Sequence, residues 1–257
     1  MATLAASQRT GTSDDRFFLV TSLCMALLVF AGFSFHLFMG RSNFASPPVV
    51  HAHALVFMGW VVLYLAQNVL ISANAVAWHK RLGWVGAGWM IAMVVLGTAV
   101  TVRLVQIGHA PFFFTPLMFL VMDPLSVITF AVLTTAAIVL RRQTQWHRRL
   151  HYSGMSLLLG PALGRLIPMP LLIPYAYEAV FLTVLIFPAI GIVADLRRSG
   201  KVHPAWWWGL GTIVGSTLLV EVIVHSPAGD ALYRAVTAGT PGAATPARAY
   251  PPWPQHP

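Results

Sequence analysis

Charge is what this sequence has least of. Only 9% of its 257 residues are charged and seven are acidic, while 57% are hydrophobic. The mean hydropathy is +0.72. A soluble domain of this length carries about a quarter charged residues, so an ordinary water-soluble globule is excluded. Cysteine is nearly absent as well. A lone Cys24 rules out an intrachain disulfide and a cysteine-based metal site. There is no Gly-rich phosphate loop, no His-Glu-x-x-His helix, no lysine in the last apolar run for a Schiff base and no evident Ser/His/acid triad. The N-terminus lacks a cationic stretch followed by a short apolar core and a cleavage site, so the first apolar segment is expected to stay as a helix. The formal charge of +9 lies in short basic clusters between apolar runs. That pattern sets membrane topology and does not mark a nucleic-acid surface.

What is present is a series of long apolar runs. Seven candidate spans cover roughly 17–39, 50–73, 83–106, 114–140, 150–168, 176–196 and 205–225, against a need of about 20 residues each. The expected fold is all-α: an integral membrane bundle of about seven transmembrane helices. The fifth span is the weakest, because Pro161 and Arg165 interrupt it and "IPMPLLIP" follows. It is expected to be short, kinked or partly re-entrant. Residues 1–15 are read as a disordered cytoplasmic N-terminus, 16–226 as the membrane domain, and 227–257 as a disordered Pro/Ala/Gly-rich periplasmic tail.

Lysine and arginine divide unequally between the two sides. Arg9, Arg16, Lys80, Arg81, Arg141, Arg142, Arg148, Arg149, Arg197, Arg198 and Lys201 make eleven on one side. Arg41, Arg103, Arg165, Arg234 and Arg248 make five on the other. The split predicts that the N-terminus lies inside, in the cytoplasm, and that the C-terminus lies outside. An internal echo joins two inner loops: "WHKRLGWVG" (78–86) and "WHRRLHYSG" (146–154) share Trp, His, Arg, Leu and Gly. Each leads into an odd-numbered span, which suggests a parallel helix-hairpin repeat of spans two–three and four–five. The alternative is that Trp with basic residues is simply what an inner boundary contains.

This topology crowds the intramembrane polar groups into the outer half. His36 lies near the outer end of span one, and His51 and His53 open span two. Arg103 closes span three, and Asp123 lies about 13 Å into span four. Arg165, Glu178, Glu221 and His225 complete the set. Three readings compete. The first is structural, a non-catalytic scaffold or accessory subunit in which Asp123 pairs with Arg165 or Arg103 and Glu221 with His225. The second is a haem b or transition-metal site in a redox or sensing role. His53 is its main ligand, supported by His36, His51, His225 and Glu221, because the positive helix end keeps an imidazole neutral. The third is a proton-coupled small-solute transporter using Asp123 and Glu221. Expected partners are the lipid bilayer and a membrane redox partner or a second copy, with no nucleic acid. His79, His147, His151 and His203 sit beside basic loops and read as interface residues without a ligand role.

The segments "VHAHALVFMGWVVLYLAQNVLI", "HKRLGWVG", "DPLSVITFAVL" and "HRRLHYSGMSLLLGPALGRLIP" resemble a group of uncharacterised bacterial multi-span membrane proteins over roughly residues 17–200. The paired H-[KR]-R-L elements are the most specific part of that likeness. The group usually has Met after the second "RL", where this chain has His151 and Tyr152, so His151 is not carried over as a shared site. The resemblance implies membrane location and fold. More locally, "HAHALVFMGW" is similar to the His-x-His helix start of haem–copper oxidase catalytic subunits and related haem-containing membrane proteins. There such a histidine ligates iron, which implies a haem role for His53 or His51.

Overall fold

The computed structural model describes residues 13–41 and 45–252. Residues 1–12 lie outside the described part, and so does most of the segment read as a disordered N-terminus. Among the described residues nine α-helices follow one another: α1 (Ser13–Phe38), α2 (Pro48–Ser72), α3 (Val76–Gln106), α4 (Pro116–Val139), α5 (Thr144–Leu157), α6 (Gly160–Leu166), α7 (Ala176–Ser199), α8 (Pro204–Val224) and α9 (Pro227–Thr237). Short 3₁₀ turns occupy Met169–Leu172 and Pro241–Ala244. No β-strand occurs among the described residues.

The helix boundaries are written in local chemistry. α4, α8 and α9 start alike, with a side-chain acceptor at the N-cap and proline at the next position. Thr115 Oγ1 accepts from Met118 N at 3.2 Å, His203 Nδ1 from Ala205 N at 3.2 Å, and Ser226 Oγ from Gly229 N at 3.4 Å. The proline lacks an N–H that would have no helical partner, and its ring fixes φ near the helical value. α7 ends on Gly200 at φ 67°, and the α2–α3 turn uses Asn74 at φ 57°. Both residue types tolerate the left-handed region that these reversals require.

Six of the helices, α1, α2, α3, α4, α7 and α8, are long and apolar enough to cross a membrane. Their outward faces are apolar too: Leu55, Ile91, Val95, Val139, Leu182 and Val222 are all exposed. In water a belt of that kind would drive aggregation; a bilayer is the solvent it suits. The fifth apolar run is not one helix but two, α5 and α6, interrupted at Leu158 and Leu159. α4 is the central helix, packed against α3, α5, α8 and α9. It is the most buried of the six. Small residues let neighbours approach closely: a Cβ on Gly32 would lie 2.6 Å from the Ala162 carbonyl oxygen, and one on Gly209 would overlap Ser153. Such close contact, rather than water expulsion, is what holds helices together in lipid.

The segment after residue 226 corrects the reading of a disordered tail. Residues 227–237 form α9, and the chain continues packed across the end of the bundle away from the basic clusters. Leu117 N donates to Ala247 O at 2.9 Å, Tyr233 OH to Thr245 O at 3.0 Å, and Arg248 pairs with Asp230 at 2.9 Å. Composition misled here. The prolines and glycines cap and turn a compact element whose apolar groups, Tyr233 and Val236, join the core formed by Leu117, Val105 and Val220.

Candidate functional site

Charged groups gather in two layers, and the denser one was not foreseen. At the basic end Asp195 of α7 is 3% exposed and Arg149 of α5 is 5% exposed. Arg149 Nη2 and Nε donate to the Asp195 carboxylate at 2.7 and 2.9 Å. Arg198 Nη2 at 3.1 Å, Trp206 Nε1 at 2.8 Å and His203 N at 3.3 Å complete its donors. Asp14 on α1 reaches Arg148 at 2.7 Å and Arg198 at 3.1 Å. This network ties α1, α5, α7 and the start of α8 together. His203 fits as a neutral imidazole, because its Nδ1 accepts a hydrogen bond; burial, and then the Arg149 guanidinium, hold it below the ordinary histidine range. The paired Arg148-Arg149 and the "VADLRRSG" stretch were the available signals. They read as topology charge because sequence alone does not show that α5 and α7 meet.

The same end brings together three histidines that were read as interface residues. His79 and His147 have ring centroids 6.1 Å apart, and His147 and His151 4.8 Å, both edge-on. His79 and His147 are the equivalent positions of the two WH[KR]R-L segments, so that likeness carried a proximity signal.

The opposite end holds the foreseen residues, only partly assembled. Asp123 is half-buried on α4, directly before the helix-internal Pro124. The expected ion pair with Arg165 is not formed within 4.0 Å. Thr101 Oγ1 of α3 is the hydrogen-bond partner, 2.5 Å from Asp123 Oδ2. Arg165, on the short α6, is near enough to act on Asp123 electrostatically. Its own contacts are the Pro161 carbonyl at 2.7 Å and the Phe33 ring at 4.0 Å. The reason is geometric: the break before α6 turns the guanidinium back along its own half-helix and onto α1. Arg103 is exposed and forms no pair with Asp123 either.

The outer histidines do not converge. His53 lies against Phe57 with centroids 4.1 Å apart, and both His53 and His36 sit in the field of Arg165. His51 is half-buried two positions before His53 on α2. His225 is elsewhere, capping the C-terminal end of α8: its side chain is 68% exposed, with Nδ1 3.4 Å from Oε2 of Glu221 in that helix. Glu221 in turn faces Glu178 of α7 and not Asp123. Among the described residues no group of three or more His, Cys, Asp or Glu side chains has its donors gathered to hold a metal ion. The expected metal set of His53, His36, His225 and Glu221 is therefore not gathered around one point. No family model matches the chain, and no curated protein or solved structure matches it.

Proposed function

We propose that the protein is a proton-coupled carrier of a small solute, with Asp123 as the group that takes up and releases the proton. The reading takes α5–α6 as the fifth of seven spans, in a bacterial inner membrane. The eleven-to-five Lys/Arg split supports a cytoplasmic N-terminus and places Asp123 toward the periplasmic side. The paired WH[KR]R-L segments support two hairpin units, α2–α3 and α4–α5.

One observation carries the assignment. A carboxylate lies within the central helix, beside a proline and next to a broken helix that bears an arginine, yet it is not locked into an ion pair. Carrier sites are commonly built at such interrupted helices, where irregular backbone lines a cavity. An ionisable group at that depth is costly to keep without a purpose. The hydrogen-bond count supports proton binding. Thr101 Oγ1 lies 2.5 Å from Asp123 Oδ2 and 3.0 Å from Gly97 O, but a hydroxyl has one proton to donate. With Asp123 protonated, the acid O–H donates to Thr101 and Thr101 donates to Gly97 O. With Asp123 ionised, Thr101 turns its proton to the carboxylate and releases that carbonyl. Arg165 supplies a positive charge nearby that suits an anionic group of the solute. Glu221, half-exposed beside His225, stands in this reading as an outer proton acceptor and not as the central site.

A pH jump applied to proteoliposomes on a solid-supported membrane tests this without knowing the solute. The wild type is expected to give a transient displacement current. Asp123→Asn, still monodisperse in detergent, is expected to lose most of it, and Glu221→Gln, which removes only the outer acceptor, to lose part of it. An undiminished current in Asp123→Asn would refute the assignment. A Soret band in the purified protein that vanishes in His53→Ala would replace it with the haem reading.

A further inference from the structure

We propose that Arg165 binds the carboxylate of a small, singly charged organic acid at the end of the bundle opposite the basic clusters. The proposal rests on the carrier reading for one point, that this acid is the solute moving with the Asp123 proton.

Arg165 is a cation without an acid. The chain has seven acidic residues, and among the described residues none forms an ion pair with it. Asp14, Asp15 and Asp195 are engaged at the basic end, Asp230 with Arg248, and Glu221 with His225. Asp123 is near enough to act on Arg165 electrostatically but hydrogen-bonds to Thr101. What does touch the guanidinium is dipolar. Nη1 donates to Pro161 O at 2.7 Å, and the centre of the Phe33 ring lies 4.0 Å away. Nε is buried with no hydrogen-bond partner, and Nη2 makes no hydrogen bond among the described residues. A charge and a donor left in that state are costly inside a membrane bundle.

Nε and Nη2 together form the two-pronged edge that matches a carboxylate. Arg149 shows the filled case in the same molecule, where Nε and Nη2 donate to Asp195 at 2.9 and 2.7 Å. In Arg165 the same two donors are unfilled, and a carboxylate from solution has the shape and charge to fill them. The neighbours narrow the class. His36 on α1 and His53 on α2 lie in the field of Arg165, and an imidazole offers an N–H donor in either charge state. Phe33, with Phe57 stacked on His53 at 4.1 Å between centroids, gives apolar contact for an organic body. One guanidinium balances one negative charge, and an ionised Asp123 opposes a second. Exposed Arg41, beside His36, adds attraction at the rim. Coupling follows from the same charges. When Asp123 takes up a proton, Arg165 loses the acid whose charge reaches it, so the anion binds more tightly. By reciprocity the bound anion favours the proton.

The test is thermal unfolding of the purified full-length chain in detergent, at constant ionic strength, with chloride replaced by propionate or benzoate. A ligand that binds only the folded state raises the melting temperature saturably. The wild type is expected to show that rise with both carboxylates and not with propionamide, which keeps the shape without the charge. Arg165→Gln is expected to lose the rise. Arg165→Lys, which keeps the charge but not the fork, is expected to need roughly tenfold more carboxylate. Asp123→Asn, a mimic of the protonated acid, is expected to show the rise at lower carboxylate concentrations. If Arg165→Gln fails to fold, Arg165→Met keeps an apolar stem against Phe33 and removes the same charge. No carboxylate-specific rise in the wild type, an equal rise in the neutral Arg165 variant, or a rise with sulfate alone would overturn the proposal. Failure of the carrier reading would show separately, as an undiminished pH-jump current in Asp123→Asn beside an intact carboxylate-dependent rise.

Discussion

Asp195→Ala is expected to cost the fold about 3–5 kcal/mol, the range found when one member of a buried ion pair is removed. Arg149 would keep its charge in a site where it is 5% exposed, and Trp206 Nε1 and His203 N would lose their acceptor. A recess of about 410 Å³ borders Asp195 and Arg149. Water reaching that recess softens the penalty, so the lower figure is the better expectation. Thermal unfolding in detergent, followed by tryptophan fluorescence, measures the loss. The companion variant Asp195→Leu/Arg149→Met removes both charges and should recover much of it, because the cost lies in the stranded charge rather than in the missing attraction. Equal stability of Asp195→Ala and wild type would show that the network is ornamental.

Gly191→Leu should be at least as damaging, for a steric reason. A Cβ at Gly191 would already overlap the Trp206 ring. Trp206 has no room to retreat, since it is fully buried and packs against Tyr152 at 5.2 Å and Phe18 at 6.5 Å between centroids. Overpacking of a tight core typically costs about 1–3 kcal/mol and sometimes more. A leucine facing an immovable indole belongs at or above the top of that range, so the variant should express poorly and aggregate. Gly191→Leu/Trp206→Leu trades volume across the contact and should restore a folded fraction. A stable single variant would mean that α7 and α8 can separate at that point.

These two sites show what could be read from the residues alone and what could not. The apolar runs marked all six long helices, because a bilayer imposes a length and a composition that few other solvents do. The weakness of the fifth run was also visible, since Pro161 and Arg165 are poor helix-interior residues for lipid; the structure puts the break a few residues earlier, at Leu158 and Leu159. Asp123 does lie within a helix long and apolar enough to cross a membrane, α4, but its partner is not the one that charge suggests. Charge complementarity pointed to Arg165, whereas the backbone break sends Arg165 toward Phe33 and leaves Asp123 to Thr101. The tail was misread because proline and glycine are equally at home in disorder and in capped short helices. Asp195 and the three basic-end histidines escaped for one common reason. A single sequence gives depth along each helix, but not which helices are neighbours or which faces they share.

The account turns on whether Asp123 titrates, and infrared difference spectroscopy of the reconstituted protein measures that directly. A carboxylic-acid C=O band is expected to grow as pH falls and to vanish as it rises, with Thr101→Ala shifting it and Asp123→Asn removing it. A spectrum with no titrating carboxylic-acid band, or one unchanged in Asp123→Asn, would contradict the central claim.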